Sequence, residues 1–393
     1  MVIACVIDNG AYSIKIDYSN MPEARIIPNC IMKAKSEKRR PFIGDQIDEC
    51  RDASGLFYIL GFQKGYLVNW EAQKTVWDYV FGEQCCKLNL KEADVIVTEP
   101  YFNFASIQEG MTEIFFEEYD CQSLLRVNSG DLSAYHYTKT NPKTLCCLVV
   151  DSGYSFTHII PYIKGKKYKS GIVRIDVGGK LLTNHLKEVI SYRQLHVMDE
   201  TYVINQVKED LCYVSCNFNK DMKTSQRKDD KNHIVRDYVL PDYTTIRRGH
   251  VVQPGQAIQN DYQKLRLSNE RFTIPELLFH PSDVGIKQMG ITEAIVHAIS
   301  QCPPESHSYL YNNIVLTGGN MKFAGIKERI YNDVRCLVPE EYDVSVYLPD
   351  DPITYSWKGG ALLSERNDFL SRVVTKEEYE EEGTQACYEK FDV

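Results

Sequence analysis

The chain has 393 residues, 43% of them hydrophobic and 25% charged, with a formal net charge of -9. That length and mix suit an ordinary globular protein of two or three lobes and exclude a disordered or collagen-like chain. The acidic balance opposes direct binding to nucleic-acid phosphates except through a local basic patch or a partner.

In chain order, the first predicted element is a hairpin. Residues 2–17, VIACVIDNGAYSIKID, are two apolar-rich runs joined by Asp8-Asn9-Gly10, and a short glycine turn between such runs is a hairpin signal. Asn69 is placed to cap a helix over WEAQKTVWDYVF, which Gly82 ends. Val95–Thr98 reads as a strand. Ala105–Tyr119 reads as a helix with Ile107, Met111, Ile114 and Phe115 on one face. Residues 148–163, LVVDSGYSFTHIIPYI, then repeat the first hairpin around Asp151-Ser152-Gly153. One Asp-x-Gly turn carries little information, because turns favour those residues. Two copies in matching strand contexts point to a duplicated α/β domain.

Further along, residues 219–237 are polar and of mixed charge. Residues 247–268, with Gly249, Pro254 and Gly255, read as a long loop. Ile291, Ala294, Ile295, Ala298 and Ile299 follow the helical i, i+3, i+4 pattern and mark a core face, as do Ile326, Ile330 and Val334. Ile314–Thr317 reads as a strand running into Gly318-Gly319. The acidic KEEYEEEG near the C-terminus reads as a solvated helix end. The 13 cysteines include the adjacent pairs Cys85-Cys86 and Cys146-Cys147 but no CxxC. They read as reduced thiols of a cytosolic or nuclear protein. The opening residues MVIACVIDNG read as a strand rather than a secretory leader, and no apolar run comes near the ~20 residues that span a bilayer, so neither a secreted nor a membrane-embedded protein is expected.

Paired glycine turns suit a phosphate chain lying between them, since glycine lets backbone N–H groups approach phosphate oxygens. In that arrangement Asp8 and Asp151 hold a hydrated Mg²⁺, an ion that takes one or two carboxylates and keeps its waters. Lys15 meets a phosphate as a point charge. Gly318-Gly319, between a strand and a helix, is a place for a nucleoside or α-phosphate.

The motifs DNGAYSIK, VVDSGYSFTH and VLTGGNMKFAGI resemble the two phosphate motifs and the adenosine motif of actin. YLVNWEAQKTVWDYVF, VIVTEPYFN, RIDVGGKLLTNHL, VKEDLCYVS, NERFTIPELLFHP and YSWKGGALL are similar to actin segments in actin order. The resemblance implies an actin-like ATPase fold of class α/β, with duplicated βα domains forming two lobes and four subdomains around a nucleotide cleft. Subdomain 1 would take residues 1–29, 63–141 and 355–393. Subdomain 2, shortened, would take 30–62, subdomain 3 residues 142–177 and 287–354, and subdomain 4 residues 178–286 with an insertion near 247–267. On the same resemblance Asp8, Gly10, Lys15, Asp151 and Gly153 fall on phosphate and metal positions. Lys208, Glu209, Gly318, Gly319 and Phe323 fall on nucleoside positions, and His158 on the histidine near the attacking water.

The departures carry as much information. Ala11 stands where actin has a serine and Tyr12 where it has a glycine; Tyr154-Ser155 replaces Asp-Gly. Ser129, beside Asn128, takes the place of the catalytic glutamine and is too short to orient a water. Loss of such a group typically costs roughly 10²–10⁴-fold in rate. The expectation is weak ATP-Mg²⁺ binding, negligible hydrolysis and no catalytic residue. The segment KSEKRRPFIGDQ is shorter than the actin loop that makes lengthwise filament contacts, so filaments are not expected.

The whole pattern is similar to nuclear actin-related proteins of class six, subunits of SRCAP/Swr-type chromatin remodellers. That resemblance implies a nuclear protein with a possible cytoplasmic pool, working beside a zinc-finger HIT-domain protein, the remodeller ATPase and RuvB-like ATPases. The complex exchanges the Z-type histone variant into nucleosomes. Arg247, Arg248, Lys264 and Arg266 in the insertion are the expected partner-binding residues, and KRR at 38–40 is a short basic cluster. Two alternatives remain at this point: a cytoskeletal or dynactin-type actin-related protein that binds ATP, and a small-molecule kinase. No catalytic aspartate motif of a kinase is found.

Overall fold

A computed structural model describes residues 3–37, 40–229, 231–253 and 262–393. Two mixed sheets of the same construction organise the chain. In the first, Ala4–Asn9 and Ser13–Tyr18 form the predicted antiparallel hairpin, and Ala4–Asn9 pairs in parallel with Asp94–Glu99. Asp94–Glu99 in turn pairs in parallel with Ser123–Asn128. In the second, Cys146–Ser152 and Thr157–Ile163 form the hairpin, and Cys146–Ser152 pairs in parallel with Ile314–Thr317. Val346–Tyr347 extends that sheet in parallel. Parallel pairs need helical crossovers, so both sheets are covered by helices, and their central strands read as unbroken apolar runs. The repeat seen in the sequence is therefore a repeat of topology, and the fold is two lobes of actin-like α/β type.

The helices form where the pattern requires. Asn69 accepts a hydrogen bond from the Ala72 N–H (3.1 Å) and starts Trp70–Phe81, which ends at Gly82. The apolar stripes of Ile291–Ser300 and Ile326–Leu337 are buried in the core of the second lobe. Thr375 and Glu378 make a capping box for Lys376–Glu382, a helix with no buried residue. The helix expected over Ala105–Tyr119 is regular only to Glu113. Ile114–Glu118 winds as a π-turn, and the extra residue brings both Phe115 and Phe116 into the core while Ile114 is only half-buried.

Between the lobes lie Ser129–Thr140 and Tyr355–Ser364, two helices in close contact. A Cβ at Gly359 would stand 2.1 Å from the Leu132 carbonyl oxygen, so the helix approach depends on glycine there. Tyr101, Tyr137 and Tyr355 from one side meet Val149, Ile160 and Val315 from the other in a small cluster that joins the lobes.

The stretch expected as a long loop over 247–268 is a correction. His250–Val251 and Lys264–Leu267 flank Arg236–Val239 in a three-stranded antiparallel sheet. Leu265 and Leu267 alternate inward and are fully buried. The alternation is only four residues long, too short to stand out from flanking polar sequence. Asp242 builds the preceding turn by accepting the Thr244, Thr245 and Ile246 N–H groups at 2.8–2.9 Å. Residues 254–261 of that stretch, with Pro254 and Gly255, and Lys38 and Arg39 of the basic cluster lie outside the described residues.

Candidate nucleotide cleft

A cavity of about 570 Å³ opens between the two sheets. Both hairpin turns and the Gly318-Gly319 turn reach it from the strand ends, where open α/β sheets place their ligand sites. Asp8, Gly10, Lys15, Asp151, Gly153, His158, Lys208, Glu209, Gly318, Gly319 and Phe323 all line this one cavity.

Strand register explains the arrangement. Asp8 lies opposite Lys15 in the first hairpin, and Asp151 lies opposite His158 in the second. Lys15 Nζ stands 3.2 Å from Asp8 Oδ2. The Asp8 carboxylate also accepts from Thr98 Oγ1 and from Ser356 Oγ, each at 2.9 Å. Asp151 accepts from Ser129 Oγ at 2.8 Å, and burial raises its pKa above the usual carboxylate value. Gly10 has no room for a side chain, since a Cβ would lie 2.8 Å from the Ser13 carbonyl oxygen. Gly318 has φ +94° and a Cβ there would meet the Ser152 carbonyl oxygen at 2.3 Å. Asn320 donates to Ser152 Oγ (3.0 Å) and to the Gly153 carbonyl (2.8 Å), tying the third turn to the second.

At the end of the cavity expected to take the nucleoside, Lys208 is buried and donates to Thr183 Oγ1 and Asn205 Oδ1 at 2.9 Å and to the Gly179 carbonyl at 3.3 Å. Its three protons are thus taken by protein acceptors, and burial lowers its pKa. Glu209 accepts from Asn205 Nδ2 at 2.7 Å. Ser129, at the start of its helix, has turned its hydroxyl proton to Asp151. Asn128 is buried and bonded to the Glu99 carbonyl and to Lys167.

His158 is buried with its ring 4.2 Å from Phe156 and 5.1 Å from Tyr101, and its Nε2 has no partner among the described residues. Burial, aided by nearby Arg174, lowers its pKa to about 3. The native ring stays neutral where the unfolded chain takes up a proton, so the native state binds fewer protons below pH 6.5. Stability falls as the pH drops from 6.5 toward 3. We expect His158→Gln to flatten this slope, making the loss between pH 7.5 and 4.5 smaller by about 2 kcal/mol in urea unfolding. Parallel slopes in the two proteins would refute it.

The expected partner-binding residues are not one free basic arm. Arg248 pairs with Asp210 (3.1 Å) and lines the cavity edge. Arg266 makes a two-point pair with Asp237 (2.7 and 2.9 Å) from within a strand. Arg247 and Lys264 are exposed and form no ion pair among the described residues. Sequence reasoning missed Thr98, Ser356, Asn205 and Phe156. Thr98 and Ser356 stand in the similar segments VIVTEP and YSWKGG, and Thr98 sits at a strand's C-terminal end, the position where α/β sites gather.

The residues fit a nucleotide with a hydrated Mg²⁺. Asp8 and Asp151 are the carboxylates that the two hairpins bring to the cavity, no cluster of three or more His, Cys, Asp or Glu forms among the described residues, and His158, whose Nε2 is without a partner among them, lines the same space. Mg²⁺ needs no larger protein cage than Asp8 and Asp151. The bound pair would supply phosphate charge and a counter-ion between the hairpins.

Residues 1–392 match the actin family. The chain is 46% identical over 392 residues to Actin-related protein 6 of Drosophila melanogaster, covering 98% of each protein. It is 35% identical over 386 residues to Actin-like protein ARP6 of Yarrowia lipolytica, covering 98% of this chain and 97% of that one. With Actin-related protein 6 of Arabidopsis thaliana it shares 34% identity over 418 residues, 98% of each. The duplicated sheets, the three glycine turns at one cleft and similarity along the whole length lead to one conclusion: the chain belongs to the actin family, among its actin-related proteins of class six.

Proposed function

We propose that this protein is a non-polymerising, non-hydrolysing subunit of a nuclear chromatin-remodelling complex that exchanges the Z-type histone variant. The observation that carries the reading is end-to-end similarity to proteins named Actin-related protein 6, combined with altered phosphate turns. Its partners would be the zinc-finger HIT-domain protein, the SRCAP/Swr-type ATPase and the RuvB-like ATPases. The cleft would hold ATP-Mg²⁺ weakly, as a structural element. Ser129 supports that reading: its hydroxyl is bonded to Asp151 and its side chain is too short to orient an attacking water. Exposed Arg247 and Lys264 would offer the basic contacts, with Arg248 and Arg266 held in place by their carboxylates.

Affinity purification from nuclei should recover the HIT-type protein and the remodeller ATPase; their absence would count against the assignment. With Mg²⁺, salt and ATP, the purified chain should form no sedimentable polymer, because the short Lys33–Gly44 segment removes lengthwise contact and a stable interface needs about 1,200 Å². Polymer above a critical concentration would contradict this. In a single-turnover assay, ATP should persist; hydrolysis abolished by Asp151→Ala would contradict the non-hydrolysing reading.

A further inference from the structure

Three aromatic side chains on the phosphate hairpins reach across the cleft. Tyr12, on the first hairpin, lies 5.2 Å from Tyr154 of the second, ring centre to ring centre. Its hydroxyl accepts a hydrogen bond from Asn205 Nδ2 at 3.0 Å. Asn205 is itself bonded to Thr183, Lys208 and Glu209, so the half-exposed Tyr12 is tied to a hydrogen-bonded polar cluster of the opposite lobe. Phe156, on the second hairpin, crosses the other way. Its ring sits so close to Gly65 of the first lobe that a Cβ there would fall 2.0 Å from it. The Arg174 guanidinium of the second lobe stacks on both Phe156 (4.8 Å) and Tyr66 (4.9 Å) and donates to the Lys64 carbonyl at 2.7 Å.

The outer rim is joined as well. The Gly55 N–H donates to both Glu200 oxygens at 3.1 Å. Tyr202 and Tyr243 pack on the small apolar cluster around Met32 and Phe42. Behind Tyr12 and Tyr154 a second cavity of about 60 Å³ is left between the lobes.

We propose that these side chains form a clasp that holds the lobes closed without a ligand, and that the clasp sets how fast a nucleotide leaves the cleft. A ligand shifts a two-state equilibrium only by its differential affinity for the states. Where protein groups already hold the closed state, a bound nucleotide has little closure left to drive, and the cleft becomes a fixed element. The second half of the proposal rests on the reading of the cleft as a nucleotide site; the first half does not.

The test uses the full chain stripped of nucleotide by chelator and apyrase. Hydrogen exchange is followed at the hairpin turns, residues 9–12 and 153–156, in wild type, Tyr12→Phe and Tyr12→Gly/Phe156→Ala. Wild-type turns should exchange slowly in the stripped chain, and any further protection by added ADP-Mg²⁺ should be confined to the amides that meet its phosphates. The double variant should exchange roughly tenfold faster without nucleotide, as loss of an aromatic contact and a hydrogen bond implies. Tyr12→Phe keeps the ring, removes only the hydroxyl, and should show a smaller increase; it decides the matter alone if the double variant does not fold. Unchanged exchange in these variants, or wild-type turns that open on stripping, would overturn the clasp. Release of a fluorescent ADP analogue should quicken about tenfold in the double variant. If the wild type binds no analogue, the nucleotide reading fails while the clasp is still judged by hydrogen exchange. Binding with equal release rates in both proteins would overturn the role in exit.

Discussion

Arg329→Met is expected to lower the free energy of unfolding by about 3–5 kcal/mol. Arg329 is buried and holds Glu276 by two parallel bonds, Nη1 to Oε2 at 2.9 Å and Nη2 to Oε1 at 2.7 Å. Its Nε donates to Asp333 at 2.7 Å and its Nη1 to the Ser215 carbonyl at 2.7 Å, with the guanidinium 4.5 Å over the Phe279 ring. Methionine fills much of the volume but leaves Glu276 in the interior with only His280 nearby, at 3.5 Å. A carboxylate left so must take up a proton or draw in water. Urea unfolding measures the loss, and adding Glu276→Leu should recover most of it, because two apolar groups in contact no longer strand a charge. A loss under about 1 kcal/mol for the single variant would show that the pair is solvated.

The second large effect is at Trp77. Its indole is fully buried among Phe81, Phe115 and Tyr119, so Trp77→Ala should cost about 3–5 kcal/mol through lost contacts and a cavity. The same indole Nε1 faces Asn9 Oδ1 at 3.4 Å, and Asn9 belongs to the turn that carries Asp8 and Gly10. Core packing and cleft geometry therefore meet at one side chain. Trp77→Phe separates them: it keeps most of the packing and removes the donor, for a loss of about 1 kcal/mol beyond the smaller ring. Near-ultraviolet circular dichroism should show a loosened core in Trp77→Ala and not in Trp77→Phe. An alanine variant as stable as wild type would mean that the core collapses around the gap.

Much of the architecture was legible in the residues themselves. Asp8-Asn9-Gly10 and Asp151-Ser152-Gly153 announced two hairpins because each is a short Asp-x-Gly turn between two apolar-rich runs. The helix 70–81 announced itself by Asn69 and Gly82 at its ends, and those over 291–300 and 326–337 by apolar residues at helical spacing. Such local signals survive folding because the backbone conformation and the buried face are chosen by the same residues. Of the cavity-lining set, Asp8, Gly10, Lys15, Asp151, Gly153, Gly318 and Gly319 were legible as glycine turns with charged groups at strand ends, whereas His158, Lys208, Glu209 and Phe323 were reached only through the resemblance to actin.

Tertiary structure alone decided the rest. The period of the Ala105 helix gave no sign of the π-turn at Ile114–Glu118, which arises because Phe115 and Phe116 both find room in the core. The strand Lys264–Leu267 exists because Arg236–Val239 offers it a ladder, and no local pattern of four residues specifies a partner. Arg248 and Arg266 read as free basic charge in the sequence, yet Asp210 and Asp237 stand beside them in space. Tyr12 and Tyr154 read as departures in phosphate turns, and Phe156 gave no signal. Only the folded chain sets Tyr12 against Asn205 and Phe156 against Gly65, residues distant in sequence, because the contacts of a cleft depend on how two lobes meet.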